Sequence, residues 1–470
     1  MLRLALALAL CLFTTLTAAM PAEVARALER AGIPVESVAI FVQPVDTTHP
    51  ELSYNADRPM NPASVMKLVT AFAVLERLGP GFTWTTRIAI DGPLRDGRLA
   101  GNLHLVGGGD PLLDVGRLWR VLARVRAAGI THIDGDIVLD ASALRLPAHD
   151  AAAFDNRPLR PYNSGPSGLL LNFNTVQLLL TPGKVGELLS VAAVPALDGL
   201  TLDNRITAAA GRCVTWFRDL DSSLGWTSEG PVLTLTGTMP ADCGAREWAV
   251  APFGSDHFAA ALTGWLWKAS GGTLAGRVRH GIAPYETTTL FEHTSPSSAE
   301  AVREMNKWSS NVIAQQLLAT LAMHEPDTPD MLAAGARIAT ETLTAAGIPT
   351  HGLLIDNGSG LSRSAAIRAD TLGRLLLTAW QRPWMPEFVS ALSLAGIDGT
   401  ARKRLNGSPA NGHAHIKTGT INGVRAMAGY VLDRNGRRHA VVMMVNDTKA
   451  PQSEAAQDAL IEWVWSGADM

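Results

Sequence analysis

Apolar positions fall into blocks of different period along the chain. Leu4 to Leu16 is an apolar run behind the basic Arg3, and Thr17-Ala18-Ala19 follow as small residues. This reads as a secretory signal peptide over 1–19, too short for a membrane span. Ser37 to Val42 and Leu52 to Tyr54 read as strands. Val65, Leu68, Val69, Phe72 and Leu75 recur at helical spacing, which predicts a helix opened by Asn61-Pro62 and stopped by Gly79-Pro80. From 85 to 282 the texture changes to short segments such as Thr86 to Ile90, Leu103 to Val106, Ile137 to Leu139 and Val232 to Leu235. Turn signals such as Asp91-Gly92 and Gly107-Gly108-Gly109-Asp110-Pro111 separate them, predicting a β-rich insertion with few helices. One of those helices runs from about Ser255 to Gly271-Gly272. In the last third, Ser297 and Glu300 form a capping box for a helix through about Lys307, and a second helix follows from Val312. His415 to Thr420, Arg425 to Leu432 and His439 to Val445 predict three antiparallel strands, with Asn435-Gly436 turning the second pair. A last helix covers 453–465.

Composition narrows this picture. A length of 470 residues implies more than one domain, and 47% hydrophobic with 18% charged residues is globular. A net charge of −3 advertises neither nucleic acid nor an anionic membrane surface, and no later segment is apolar enough to span a bilayer. Outside the signal only Cys213 and Cys243 remain. Export allows them to form a disulfide; two separate buried thiols are the alternative. Lysine is scarce, 7 against 33 arginines, so each lysine draws notice.

Three short patterns carry chemistry. In Ser64-Val65-Met66-Lys67, positions i and i+3 of a helix share a face, so hydroxyl and amine can meet. Burial or a neighbouring cation would lower the lysine pKa and make it a base for the serine. Ser309-Ser310-Asn311 sits at a helix junction, offering a hydroxyl for proton relay and an amide for holding a carbonyl. Ser53-Tyr54-Asn55 matches the same pattern but lacks the helix–loop setting. Lys417-Thr418-Gly419 lies on a strand, with Thr420 next; cation and hydroxyl suit a carboxylate, and Gly419 leaves room for a ligand backbone. Singly, each pattern fits a capping residue or a solvated strand edge. Together, in this order, they occur in penicillin-recognising serine enzymes. His413 and His415 alternate beside Lys417 without a third metal ligand, no His-Glu-x-x-His occurs, and Gly107 to Gly109 lacks the Lys-Ser/Thr of a phosphate loop.

With these motifs the chain resembles the D-alanyl-D-alanine carboxypeptidases/endopeptidases of the low-molecular-mass class C penicillin-binding proteins, over nearly the whole mature chain. The long gap between Ser64 and Ser309 fits that family, as do Tyr162-Asn163-Ser164, Leu171-Asn172-Phe173-Asn174, Asn357-Gly358-Ser359-Gly360 and Gly396-Ile397-Asp398-Gly399-Thr400. One departure is Asn357, where an aspartate directly before Gly-Ser-Gly is expected. The resemblance implies an α+β, β-lactamase/transpeptidase-like catalytic domain, a five-stranded antiparallel sheet flanked by helices, over 20–84 and 283–470, split by the insertion. It implies Ser64 as nucleophile, Lys67 as base and Ser309 as proton relay. Asn311, Lys417, Thr418, Gly419 and Thr420 would hold the substrate, with no metal or other cofactor. The implied partners are peptidoglycan stem peptides and, as covalent inhibitors, β-lactams; the implied location is the periplasm or cell envelope. The alternatives are another serine hydrolase on this scaffold (esterase, D-aminopeptidase or β-lactamase) and an inactive cell-wall-binding protein.

Overall fold

The structure, a computed structural model, describes residues 20–325 and 328–467. The expected signal peptide lies outside them. The central sheet holds six strands in the order Leu52–Tyr54, Val38–Pro44, Arg438–Asn446, Val424–Leu432, Ala414–Ile421 and Ser393–Leu394. All its pairings are antiparallel. Four of these strands are long, and a three-residue and a two-residue strand at the two edges bring the count to six where five were expected. Both faces are covered, so its long strands are buried almost throughout instead of alternating. One face packs on the terminal helices Ala22–Ala31 and Glu454–Ser466 through Val24, Leu28, Leu460 and Ile461. The other packs on Lys67–Arg77, Ser298–Trp308, Asn311–Thr320 and Ala369–Trp380.

The insertion has its own apolar core, built around Leu105, Leu122, Leu139, Leu178, Leu235 and Trp267. Its entry and exit are fastened together: the Ser295 N–H donates to the Trp84 carbonyl (2.9 Å), and the Trp84 N–H donates to Ser295 Oγ (2.8 Å). The return point corrects the expected boundary at 282/283. Thr288–Thr294 pairs with Thr85–Ile90 and completes a five-stranded sheet of the insertion. No residue of that strand is fully buried, so no alternation marks it in the sequence.

Cys213 and Cys243 are disulfide-bonded, 30 positions apart, with Cys243 in the insertion core. Closing a loop of this size stabilises by about 3–4 kcal/mol through the unfolded chain. Reduction should therefore lower the thermal midpoint of the insertion while leaving that of the rest of the chain in place; calorimetry with and without reductant checks this.

Candidate active site

The first motif lies where a loop enters the Lys67–Arg77 helix. The entry is tighter than an ordinary helix start: Ala63–Met66 is a 3₁₀ turn, and Ala63 has φ 45°. Asn61 holds this bend. Its Oδ1 accepts from the Ala63 N–H (2.9 Å), its own N–H donates to Asn446 Oδ1 (2.8 Å), and Asn446 Nδ2 donates to its carbonyl (3.0 Å). Asn446 ends a strand of the central sheet, so the serine turn is tied directly to the rigid sheet.

Lys67 has no exposed surface. Its Nζ touches three oxygens: Ser64 Oγ at 3.1 Å, Asn311 Oδ1 at 2.7 Å and the Ser359 carbonyl at 2.6 Å. Burial, then the nearby Lys417 charge, holds its pKa well below the ordinary lysine value. A neutral amine has two donors and one lone pair. The Ser359 carbonyl can only accept. Asn311 presents its oxygen to Lys67 because its Nδ2 donates to the Tyr162 carbonyl (2.9 Å). In the neutral amine both donors are thus committed, and its lone pair would face the Ser64 hydroxyl, the orientation a general base requires.

Ser309 closes the Ser298–Trp308 helix in the left-handed region, φ 58°, while Ser310 caps the next helix, which starts at Asn311. That reversal turns Ser309 Oγ toward Lys417, whose Nζ donates to it (2.9 Å) and to the Thr418 carbonyl (2.6 Å). Lys417 is also fully buried, which pushes its pKa down to about 7. Thr418 Oγ1 meets Thr400 Oγ1 at 3.0 Å, and Thr420 is exposed at the mouth. Ser393 and Leu394 pair with Ile416 and His415, so from Lys417 onward this edge of the strand is free to meet a ligand. Gly419 passes the serine turn closely: a Cβ there would stand 2.7 Å from the Pro62 carbonyl and from the Ser64 nitrogen. Ser53-Tyr54-Asn55 runs off the opposite edge of the sheet.

The Asn357 loop is intact despite its departure from the family pattern. Asn357 Oδ1 accepts from the Ser359 N–H and Oγ, and its Nδ2 donates to the Leu361 carbonyl (2.9 Å), a bond an aspartate could not make. Gly358 and Gly360 have φ of 70° and 77°. A Cβ on Gly360 would stand 1.8 Å from the Ala63 carbonyl, so only glycine fits against the serine turn. Sequence reasoning missed Asn61 as a clamp, and Asn446 and the Ser359 carbonyl altogether. An asparagine ending an otherwise apolar strand was the available signal for Asn446. It also missed that the insertion completes the site: Asn311, Gln315 and Gln316 of one helix bond the carbonyls of Tyr162, Ser164 and Ser167.

Comparison with known proteins fits this geometry. The profile of the D-Ala-D-Ala carboxypeptidase 3 (S13) family matches residues 20–466. A D-alanyl-D-alanine carboxypeptidase of Actinomadura sp. (strain R39) is 32% identical over 448 residues, 91% of this chain and 81% of that protein. The crystal structure of penicillin binding protein 4 (dacB) from Haemophilus influenzae superposes with a TM-score of 0.76 at 23% identity, covering 94% of this chain and 99% of that one. The same protein complexed with a β-lactam superposes at 0.73, again at 23% identity and with the same coverage.

Proposed function

Since this chain belongs to the D-Ala-D-Ala carboxypeptidase 3 (S13) family, we propose that it is a serine-type D-Ala-D-Ala carboxypeptidase/endopeptidase. It trims peptidoglycan stem peptides or cross-links through an acyl-enzyme on Ser64, and β-lactams inhibit it by acylating the same oxygen. The observation that carries this reading is the buried Lys67 amine, whose Nζ stands 3.1 Å from Ser64 Oγ.

Lys67 takes the Ser64 proton as Oγ attacks the carbonyl carbon of the penultimate D-Ala. The backbone N–H groups of Ser64 and Thr420 receive the oxyanion; removing one such donor typically costs about 3–4 kcal/mol. Collapse breaks the C–N bond, and Ser309 relays the proton from Lys67 to the leaving nitrogen. Lys67, neutral again, then activates water against the ester and Ser64 is released. Asn311 orients the substrate amide. Lys417 and Thr418 hold the terminal carboxylate beside the free strand edge. The work is done outside the cytoplasm, in the periplasm or cell envelope, as the first 19 residues suggest. Among the described residues no helix is long and apolar enough to cross a membrane.

Release of free D-Ala from a soluble peptide ending in D-Ala-D-Ala tests this reading. The expected result is release that benzylpenicillin abolishes. Release with no effect of benzylpenicillin, or turnover of benzylpenicillin with no peptide cleavage, would assign the site to another hydrolase.

A further inference from the structure

A cleft of about 1510 Å³ lies apart from Ser64. It lies in the insertion, between the 141–168 segment and the Arg218–Leu224 and Ala251–His257 stretches. It exceeds the roughly 300–1,000 Å³ of ordinary small-molecule sites, a size that suits a length of polymer.

Its chemistry is mixed in a specific way. Phe253 and His257 line it with ring centroids 4.2 Å apart, and Trp226, 62% exposed, packs against both at 6.4 and 5.3 Å. The exposed rings of Trp226 and His257, backed by the buried Phe253, offer an apolar platform beside a polar trough, and a pyranose ring presents a C–H face with a rim of hydroxyls. The polar trough is supplied by Leu220–Thr227, the outer strand of its sheet, paired on one side only. Arg157, Arg160 and Arg218 line the cleft together with Asp219, Asp221 and Asp256, and the three arginines form no salt bridge among the described residues. Two buried polar atoms of its lining, Ser164 Oγ and Asn174 Oδ1, have no hydrogen-bond partner among the described residues.

The cleft is joined to the Ser64 site. Its wall at Ser164 and Ser167 hangs from Gln315 and Gln316, on the helix whose first residue, Asn311, contacts Lys67. We propose that this cleft is an accessory subsite for the amino-sugar glycan strand of the polymer whose stem peptide enters the Ser64 site. The rings stack on the aromatic cluster, and Arg157, Arg160 and Arg218 donate to the hydroxyl and amide oxygens along the strand. This inference rests on the peptidase reading for the identity of the polymer.

Sedimentation of purified protein with isolated peptidoglycan tests it. An inactive Ser64→Ala chain is compared with one also carrying Trp226→Ala and Arg218→Ala. Affinity should fall about tenfold in the latter, and peptide-free glycan strands should displace the former. In the active background, Trp226→Ala/Arg218→Ala should raise KM for polymer while leaving kcat/KM for a soluble D-Ala-D-Ala peptide unchanged. Equal affinity of the two chains, no displacement by peptide-free glycan, or equal loss on polymer and soluble peptide would overturn the subsite. Failure of the peptidase reading registers separately, as absent D-Ala release by the unaltered chain while polymer binding still responds to the cleft variants.

Discussion

Lys67→Ala should lower the second-order rate of acylation by a fluorescent penicillin by about 10⁴-fold, in a chain that stays folded. The size follows from what the amine does. Among the described residues it is the amine hydrogen-bonded to Ser64 Oγ, and without it the hydroxyl must lose its proton to water. The loss also frees Asn311 Oδ1 and the Ser359 carbonyl, two acceptors that Lys67 satisfies in a buried setting. Lys67→Arg should not restore the rate, because a guanidinium remains charged and cannot act as a base near neutral pH. Residual acylation by Lys67→Ala above about a hundredth of the unaltered rate would mean that another group takes the proton.

Lys417→Ala should cost roughly 10- to 100-fold in kcat/KM for a substrate ending in a carboxylate, the worth of a charge-assisted hydrogen bond. The pH profile should identify the two lysines separately. Lys67 must be neutral to act, so kcat/KM rises with pH through its lowered pKa. Lys417 must be charged to receive the carboxylate, so kcat/KM falls as pH rises through about 7. The bound carboxylate favours the charged amine, so in kcat the falling limb should move to higher pH. A substrate with its terminal carboxylate amidated should lose the falling limb and keep the rising one.

The same burial leaves a mark on stability. An unfolded lysine titrates near 10.4. Between about 7 and 10 the unfolded chain therefore binds a proton at Lys417 that the folded chain does not. Unfolding takes up a proton in this window, so stability at this residue grows as pH rises from about 7 toward 10. Lys417→Met should flatten that slope and raise the thermal midpoint at pH 7, trading activity for stability.

Much of the site was legible because its chemistry is written in short segments. Ser64 and Lys67 are one helical turn apart, and Lys417 to Thr420 share a strand, so local spacing sufficed. The capping box at Ser297 and Glu300 formed as the sequence indicated. What stayed hidden depends on contacts between segments hundreds of positions apart. Asn446 clamps Asn61 across 385 positions, and Ser359 reaches Lys67 across 292. Neither residue belongs to a pattern that declares a partner. The closing strand of the insertion was missed for a different reason. Thr288–Thr294 is half-solvated on both faces, so hydrophobic periodicity has nothing to record. The tight serine turn likewise depends on Gly360 and Gly419 pressing against it from elsewhere in the fold, which turned an expected α-helical start into a 3₁₀ turn with a left-handed residue.

The most direct measurement incubates the purified mature chain with a fluorescent penicillin and maps the labelled peptide by mass spectrometry, with Ser64→Ala in parallel. The account predicts one stable adduct, on Ser64, and none in the variant. An adduct on another residue, or label retained by Ser64→Ala, would contradict it.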